Sequence, residues 1–306
     1  MKNGKMKAGK IKRSGLNKTL MALPFVILVF FMAYVPLMGW GLAFFRYKPG
    51  FDFTNLQFTG LKYFKLIVEN WKDSKNAITN TMVMGGLYII MMPIPMIFSI
   101  LLTECRFGRL RKTIQTTITL PHFVSWVIVY SLSFALFSNS GVVYEIMDQL
   151  GIERQGMSIM SRPNSAWIFM AVLYLWKSLG WNTIVYMASI ASIDGALYEA
   201  AALDGANRFQ LIWNVTIPSI MPTFIVLLLL QVGNFLNVGF DQYYAFTNPA
   251  IASKLEVIDM YSYRLAIGNG DYSFGLAVSM LKSVISIAII YGVNAFAKKV
   301  RGESII

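Results

Sequence analysis

Six apolar runs, separated by polar connectors, divide the 306-residue chain at roughly 20–45, 78–103, 114–137, 166–190, 217–240 and 275–297. A membrane span needs about 20 mostly apolar residues, and each run supplies them. Backbone amides in hydrocarbon must be satisfied within a helix or a closed barrel, and the ten-residue alternation of a barrel is missing here. The pattern therefore predicts an all-α integral membrane protein with six transmembrane helices. The first run is too long for a signal-peptide core and lacks a small-x-small cleavage pattern, so it is read as retained. Residues 1–18 form a basic segment ahead of a single transmembrane domain, 19–306.

The connector between the fourth and fifth runs, about 191–216, has a pattern of its own. Asp194 is placed to cap a helix starting near Gly195, Ala196–Leu203 consists of good helix formers, and Gly205 supplies a left-handed turn. A second short helix over about 206–215 leads to Pro218, which is tolerated in the first turn of the next span. A bare connector needs no helix-turn-helix; a folded one implies a docking partner.

Composition agrees with the runs: 56% of residues are hydrophobic, 14% are charged and the mean hydropathy is +0.55. Charge sets the orientation. With the N-terminus inside, the cytoplasmic pieces hold Lys2, Lys5, Lys7, Lys10, Lys12, Arg13, Lys18, Arg106, Arg109, Arg111, Lys112, Arg208, Lys298, Lys299 and Arg301, fifteen of the 27 basic residues. The outer loops balance to zero, so both termini are expected in the cytoplasm. The net charge of +12 is then a topology signal and not a nucleic-acid footprint. With Arg208 as its one basic residue, the 191–216 loop suits a protein surface better than anionic lipid.

One histidine, His122, and one cysteine, Cys105, exclude a His/Cys metal centre or disulfide framework within the chain. No G-x-x-x-x-G-K-[ST] loop occurs, so no nucleotide is expected to bind in that way here. Gly268-Asn269-Gly270-Asp271 matches the string of intramembrane aspartyl proteases, with Asp241 as a second acid, but it reads as an ordinary outer-loop turn. An ion-coupled secondary transporter would need acids inside the spans, and none lies well inside one. No catalytic residue is assigned.

Two lysines fall inside the runs. Lys177 sits near the middle of the fourth, where it must face protein or water, and Lys282 lies nearer the outer end of the sixth, within snorkelling reach. His122 is placed at the cytoplasmic start of the third helix. At 100° per residue Gln231, Asn234, Asn237 and Asp241 share one face of the fifth run. Such a stripe either glues helices together or lines a wet path. With Lys177 and the Trp176 ring of the neighbouring run, Gln231, Asn234 and Asn237 are candidate lining residues. Trp126, Trp176 and Trp181 offer flat faces that suit sugar rings.

The string Glu199-Ala200-Ala201-Ala202-Leu203-Asp204-Gly205-Ala206, followed by Ile217-Pro218, resembles the E-A-A-x-x-x-G hallmark of permease subunits of bacterial binding-protein-dependent ABC importers. Leu120–Trp126, Gly180–Tyr186, Gly239–Gln242 and the stretch from Asn294 to Gly302 look similar to the carbohydrate branch of that family. Gly195 stands where relatives often have proline.

The resemblance implies a type I importer permease fold whose cytoplasmic 191–216 loop, through Glu199, Ala200, Ala201, Asp204, Gly205, Ala206 and Pro218, couples to an ATPase. It implies a second, different permease chain, two cytoplasmic ATPase subunits that bind ATP and Mg, and an extracellular solute-binding protein. It also implies a location in the bacterial cytoplasmic (inner) membrane and a sugar or oligosaccharide as cargo. No cofactor is expected in this chain.

Overall fold

A computed structural model describes residues 8–50, 56–152 and 156–301. Lys2, Lys5 and Lys7 of the basic segment, and Gly302 at the end of the C-terminal resemblance, lie outside the described residues. Among the described residues, six stretches are long and apolar enough to cross a membrane: Lys18–Phe44, Trp71–Glu104, Trp126–Gln149, Ala166–Ala191, Arg208–Gly233 and Tyr272–Ala295. They are spans 1 to 6 below.

Span 1 continues a helix that begins at Ala8, so the described part of the basic segment is helical backbone running into the membrane. Its apolar side chains from Leu20 to Met38 point outward, as lipid requires. Only its far end is packed: Ala43 is buried with Tyr63, Ile67, Phe274 and Ala277. A two-stranded antiparallel ribbon, Phe45–Arg46 with Gln57–Phe58, follows in the register Phe45 opposite Phe58. The Ser273 hydroxyl donates to the Phe45 carbonyl (2.7 Å) and accepts from the Tyr47 amide (3.0 Å), fixing the ribbon to the start of span 6.

The structure differs from the apolar pattern where polar residues are satisfied inside helices. Span 2 begins at Trp71 and not near 78, because Ser74, Asn80 and Thr81 are buried with partners. The Ser74 hydroxyl donates to the Ile67 carbonyl (2.9 Å) and that of Thr81 to Ala77 (2.8 Å). Asn80 donates to the carbonyls of Ser253 (2.8 Å) and Glu256 (3.0 Å) and accepts from the Trp167 indole (3.2 Å), tying the outer 249–257 segment to spans 2 and 4. Span 2 is interrupted at Met92, ahead of Pro93 and Pro95.

The third run, expected as one helix over 114–137, is two. Gly108–Thr119 leads through a 3-10 turn, Leu120–Phe123, to extended Val124 and Ser125, and a second helix, Trp126–Phe137, starts on a Ser125 cap. Trp126–Gln149 is itself broken at Ser138–Gly141; below, span 3 denotes the pair of helices Gly108–Thr119 and Trp126–Phe137 with the break between them. A Cβ on Gly180 would lie 2.3 Å from the Ile118 carbonyl oxygen, which places Gly108–Thr119 against the half of span 4 that leads to the 191–216 loop. His122 lies in the turn between the two helices, just ahead of Trp126.

Span 5 ends at Gly233, short of the expected 240. Asn234 caps it, its amide donating back to the Leu230 carbonyl (3.1 Å), and the chain stays irregular to Gly239 (φ 95°). Asparagine beside glycine favours a cap over helix continuation. The four-residue stripe is therefore not one helical face: Asn237 lies beyond the helix and Asp241 opens the next, Asp241–Phe246.

Lys282 does not snorkel; it forms a two-oxygen ion pair with Asp259 (2.7 and 2.8 Å). Asp271 accepts from the Phe274 amide (3.2 Å) at the start of span 6, a turn-and-cap role. Arg264, outside the spans, pairs with Glu256 (2.5 Å) and with Asp73 in the first turn of span 2 (3.6 Å). Burial tends to lower its pKa, but the hydrogen bond and charge of Glu256, with Asp73, outweigh this and hold it above the ordinary value.

Candidate functional site

The 191–216 loop folds from local signals. The Asp194 carboxylate accepts from the Ala196 amide (3.0 Å) and caps the helix Gly195–Leu203. At its end the Ala206 amide donates to the Ala201 carbonyl (3.0 Å) and the Gly205 amide to that of Ala202 (3.1 Å), with Gly205 at φ 82°. This pair of bonds is a Schellman motif, and it needs the positive φ that glycine supplies. Asn207 and Gln210 then cap each other across the start of Arg208–Leu211.

The second loop helix is not separate from span 5, as the sequence suggests. It runs through a π-turn, Ile212–Thr216, directly into Ile217–Gly233. The π register carries the helix past Pro218, which has no N–H to give. The loop is pinned to its root by Tyr198, whose hydroxyl shares a 2.9 Å hydrogen bond with that of Thr216, and by Ile193, Ile212 and Ile217 packed against Ile190, Ile220 and Tyr186.

Glu199, Ala200, Asp204 and Gly205 are exposed, Ala201 and Ala206 are half-buried, and Pro218 is exposed at the root of span 5. Beside the acids, apolar side chains stand uncovered: Leu203 is 89% exposed, Phe209 71% and Trp213 62%, the last two stacked at 6.2 Å. An apolar patch of this kind on a structured connector is a contact surface for a protein or for the membrane.

A cavity of about 180 Å³ lies among spans 2, 4 and 5. Tyr88, Met91, Met92 and Pro95 line it at the interruption of span 2; Tyr174, Leu175, Ser178, Asn182 and Tyr186 from span 4; Leu227, Leu230, Gln231 and Asn234 from the end of span 5. One wall residue, Tyr88, is held from behind by hydrogen bonds to Gln242 (3.1 Å) and with Tyr243 (2.9 Å), and it stacks on Tyr174 at 3.8 Å. Nearer the loop, the Tyr186 side chain is 99% buried and its hydroxyl has no hydrogen-bond partner among the described residues. A buried orphan hydroxyl in a cavity wall is available to a polar ligand or water.

Of the lining residues proposed from sequence, Gln231 and Asn234 reach this cavity. Asn237 does not line it; its amide donates to the Asn234 side chain at 3.4 Å. Trp176 is exposed on another face of span 4. Lys177 also faces away, donating to the carbonyls of Pro121 (3.2 Å) and His122 (2.6 Å), with its ammonium 5.6 Å from the Trp126 ring. Tyr174, Ser178 and Asn182 were not singled out, although their i, i+4, i+8 spacing is a stripe of the kind read on span 5.

Six candidate spans, a folded and exposed connector and a cavity among the spans are features that a membrane permease would have. Residues 88–302 match the family described as binding-protein-dependent transport system inner membrane component, and the chain belongs to it. It is thus a permease subunit of the ABC importer class, which sets aside the secondary-transporter and aspartyl-protease alternatives. The chain is 37% identical over 288 residues to protein LplB of Bacillus subtilis (strain 168), covering 94% of this chain and 90% of that protein. It is 34% identical over 291 residues to the polygalacturonan/rhamnogalacturonan transport system permease protein YteP of the same organism, covering 94% and 89%. Its fold superposes with a TM-score of 0.84, at 31% identity over 96% of this chain and 98% of the other, on a chain from the crystal structure of a bacterial ABC transporter involved in the import of the acidic polysaccharide alginate.

Proposed function

We propose that this chain is one of two permeases in an importer of a sugar or oligosaccharide, with both termini on the cytoplasmic side of the bacterial cell membrane. The observation that carries this reading is the 191–216 loop, a capped and closed helix-turn-helix with its apolar residues uncovered. In this reading the loop seats in a cleft of a cytoplasmic ATPase, which binds ATP and Mg. Glu199 pairs with a basic ATPase residue, Ala200 and Ala201 allow close approach, and the Asp204-Gly205-Ala206 turn sets the angle of the second helix. Because that helix continues past Pro218 into span 5, a push on the loop moves the cavity wall that carries Gln231 and Asn234.

Polysaccharide-derived cargo is supported by the relatives' names and by the chemistry of the cavity. Amides at Asn182, Gln231 and Asn234, hydroxyls at Ser178 and Tyr186, and tyrosine rings can bond and stack a carbohydrate. The volume exceeds the roughly 150 Å³ that holds a benzene ring, so about one sugar ring fits on this chain's side of the path. A second, different permease completes the path and a solute-binding protein delivers the cargo from outside.

Co-purification with the candidate ATPase and partner permease, followed by sugar-stimulated ATP hydrolysis in liposomes, tests the proposal. Stimulation that requires the binding protein supports it. An assembled complex whose hydrolysis ignores every sugar-loaded binding protein rejects it.

A further inference from the structure

Span 4 works on two faces at one level of the membrane. Tyr174, Leu175, Ser178 and Asn182 line the cavity, while Lys177 and Gly180 grip the break in span 3. Extended Val124 and Ser125 interrupt the helical ladder there. A freed carbonyl at that depth is costly unless a donor reaches it. Lys177 reaches two: its ammonium donates to His122 and to Pro121, whose carbonyl also accepts from the Val124 amide (3.2 Å).

The break decides what each half of span 3 touches. Below it, the missing side chain of Gly180 lets the backbone of Ile118 and Thr119 abut span 4. Above it, the helix Trp126–Phe137 leans on Asp241–Phe246, Tyr130 meeting Phe246 edge-on at 5.3 Å. Asp241–Phe246 is also the source of Gln242 and Tyr243, which hold Tyr88 in the cavity wall. The bend of span 3 is thus packed, through Asp241–Phe246, against the cavity wall at Tyr88.

We propose that Lys177 is a positioning residue for transport: by holding the Pro121 and His122 carbonyls it keeps span 3 broken, and so keeps Gln242 and Tyr243 where they hold Tyr88 in the cavity wall. When the carbonyls are released, residues 122–125 rewind toward helix, with Pro121 alone leaving a gap in the ladder, and shift Gln242 and Tyr243, and with them Tyr88. This rests on the reading of the cavity as part of the translocation path.

The test uses the full transporter in nanodiscs, with Cys105→Ser, cysteine-free partners and a reporter thiol at Gln231→Cys in the cavity wall. A membrane-impermeant thiol reagent is applied without nucleotide and after ATP-vanadate trapping. With Lys177 present the labelling rate differs between the two states; no difference would reject the cavity reading and the proposal with it. In Lys177→Met the ratio of the two rates is expected to collapse by about tenfold, the order expected from losing charge-assisted hydrogen bonds in a two-state element, and Lys177→Arg is expected to keep it. A wild-type ratio in Lys177→Met overturns the proposal and leaves the cavity reading intact. If Lys177→Met does not assemble, Lys177→Met with Pro121→Ala restores an N–H for the ladder. Assembly of that double variant without state-dependent labelling supports the proposal; its failure to assemble overturns it.

Discussion

Gly205 in the exposed loop and Gly180 in the seam between spans 3 and 4 are both irreplaceable on paper, for opposite reasons. Around Gly205 there is open space, and the demand comes from its own backbone at φ 82°. Gly180 has ordinary helical geometry, and the demand comes from a distant stretch of chain, since a Cβ there would lie 2.3 Å from the Ile118 carbonyl oxygen and 2.5 Å from its carbon. The loop is specified locally. The seam is specified only once the chain has folded.

The sharpest way to break this contrast is Gly180→Ala. Its methyl meets backbone and not the tip of a flexible side chain, so spans 3 and 4 must separate, at an overpacking cost of about 3 kcal/mol or more. The expected outcome is loss of most assembled complex and a lowered melting temperature in detergent. Gly180→Ala with wild-type yield and melting would mean that the close approach at the seam is not made in the protein.

Gly205→Val has a smaller and more local effect. A β-branched residue in the left-handed region costs at least about 1–2 kcal/mol, enough to unwind the Schellman turn but not the spans. Glu199→Ala should lose a charge-assisted contact worth roughly 1.5–3 kcal/mol in the ATPase complex alone. Both variants should insert and melt as wild type while sugar-stimulated hydrolysis falls. Normal stimulation in both would remove the loop from the coupling pathway.

The same division explains what could be read from the sequence. Asp194 and Gly205 act on neighbours two to five residues away, so the loop is legible to within its joint with span 5, although the Asn207–Gln210 pair that caps its second helix was not read. That joint was missed because a π-turn has no simple residue signature. The six apolar runs were legible from length and hydropathy, but their interruptions were not. Leu120–Ser125 reads as helix until Lys177, on another span, is seen to bond its carbonyls. The cavity falls between these cases: Gln231 and Asn234 were in view, while Tyr88 and Tyr186 look like ordinary apolar-run residues until three spans converge on them.

Tyr186→Phe sharpens the comparison from the cavity side. The hydroxyl bonds nothing among the described residues, so removing it should cost the empty permease no stability. If it bonds the sugar, half-saturation for transport should rise by about two- to tenfold, the worth of one neutral hydrogen bond, with turnover little changed. An unchanged half-saturation would leave that end of the cavity outside the substrate's reach.

The smallest expected effect returns to the loop, at Gly195. This glycine is the first residue of the helix, a Cβ built on it meets nothing within 4 Å, and its φ is not positive. Its amide is one of the donors that no helical turn can satisfy, so proline forfeits no ladder hydrogen bond there. The preceding residue is compatible as well: Asp194 is extended at φ −63° and ψ 123°, the conformation a following proline demands. Gly195→Pro should therefore restrict the unfolded loop without straining the folded one, and stabilise it by about 0.4–1 kcal/mol. Amide hydrogen exchange over Ala196–Leu203 would report this as slower opening, by roughly two- to fivefold, with transport unchanged. Faster exchange would mean that the helix start carries strain that its geometry does not reveal, and that the loop is less self-contained than the contrast with Gly180 requires.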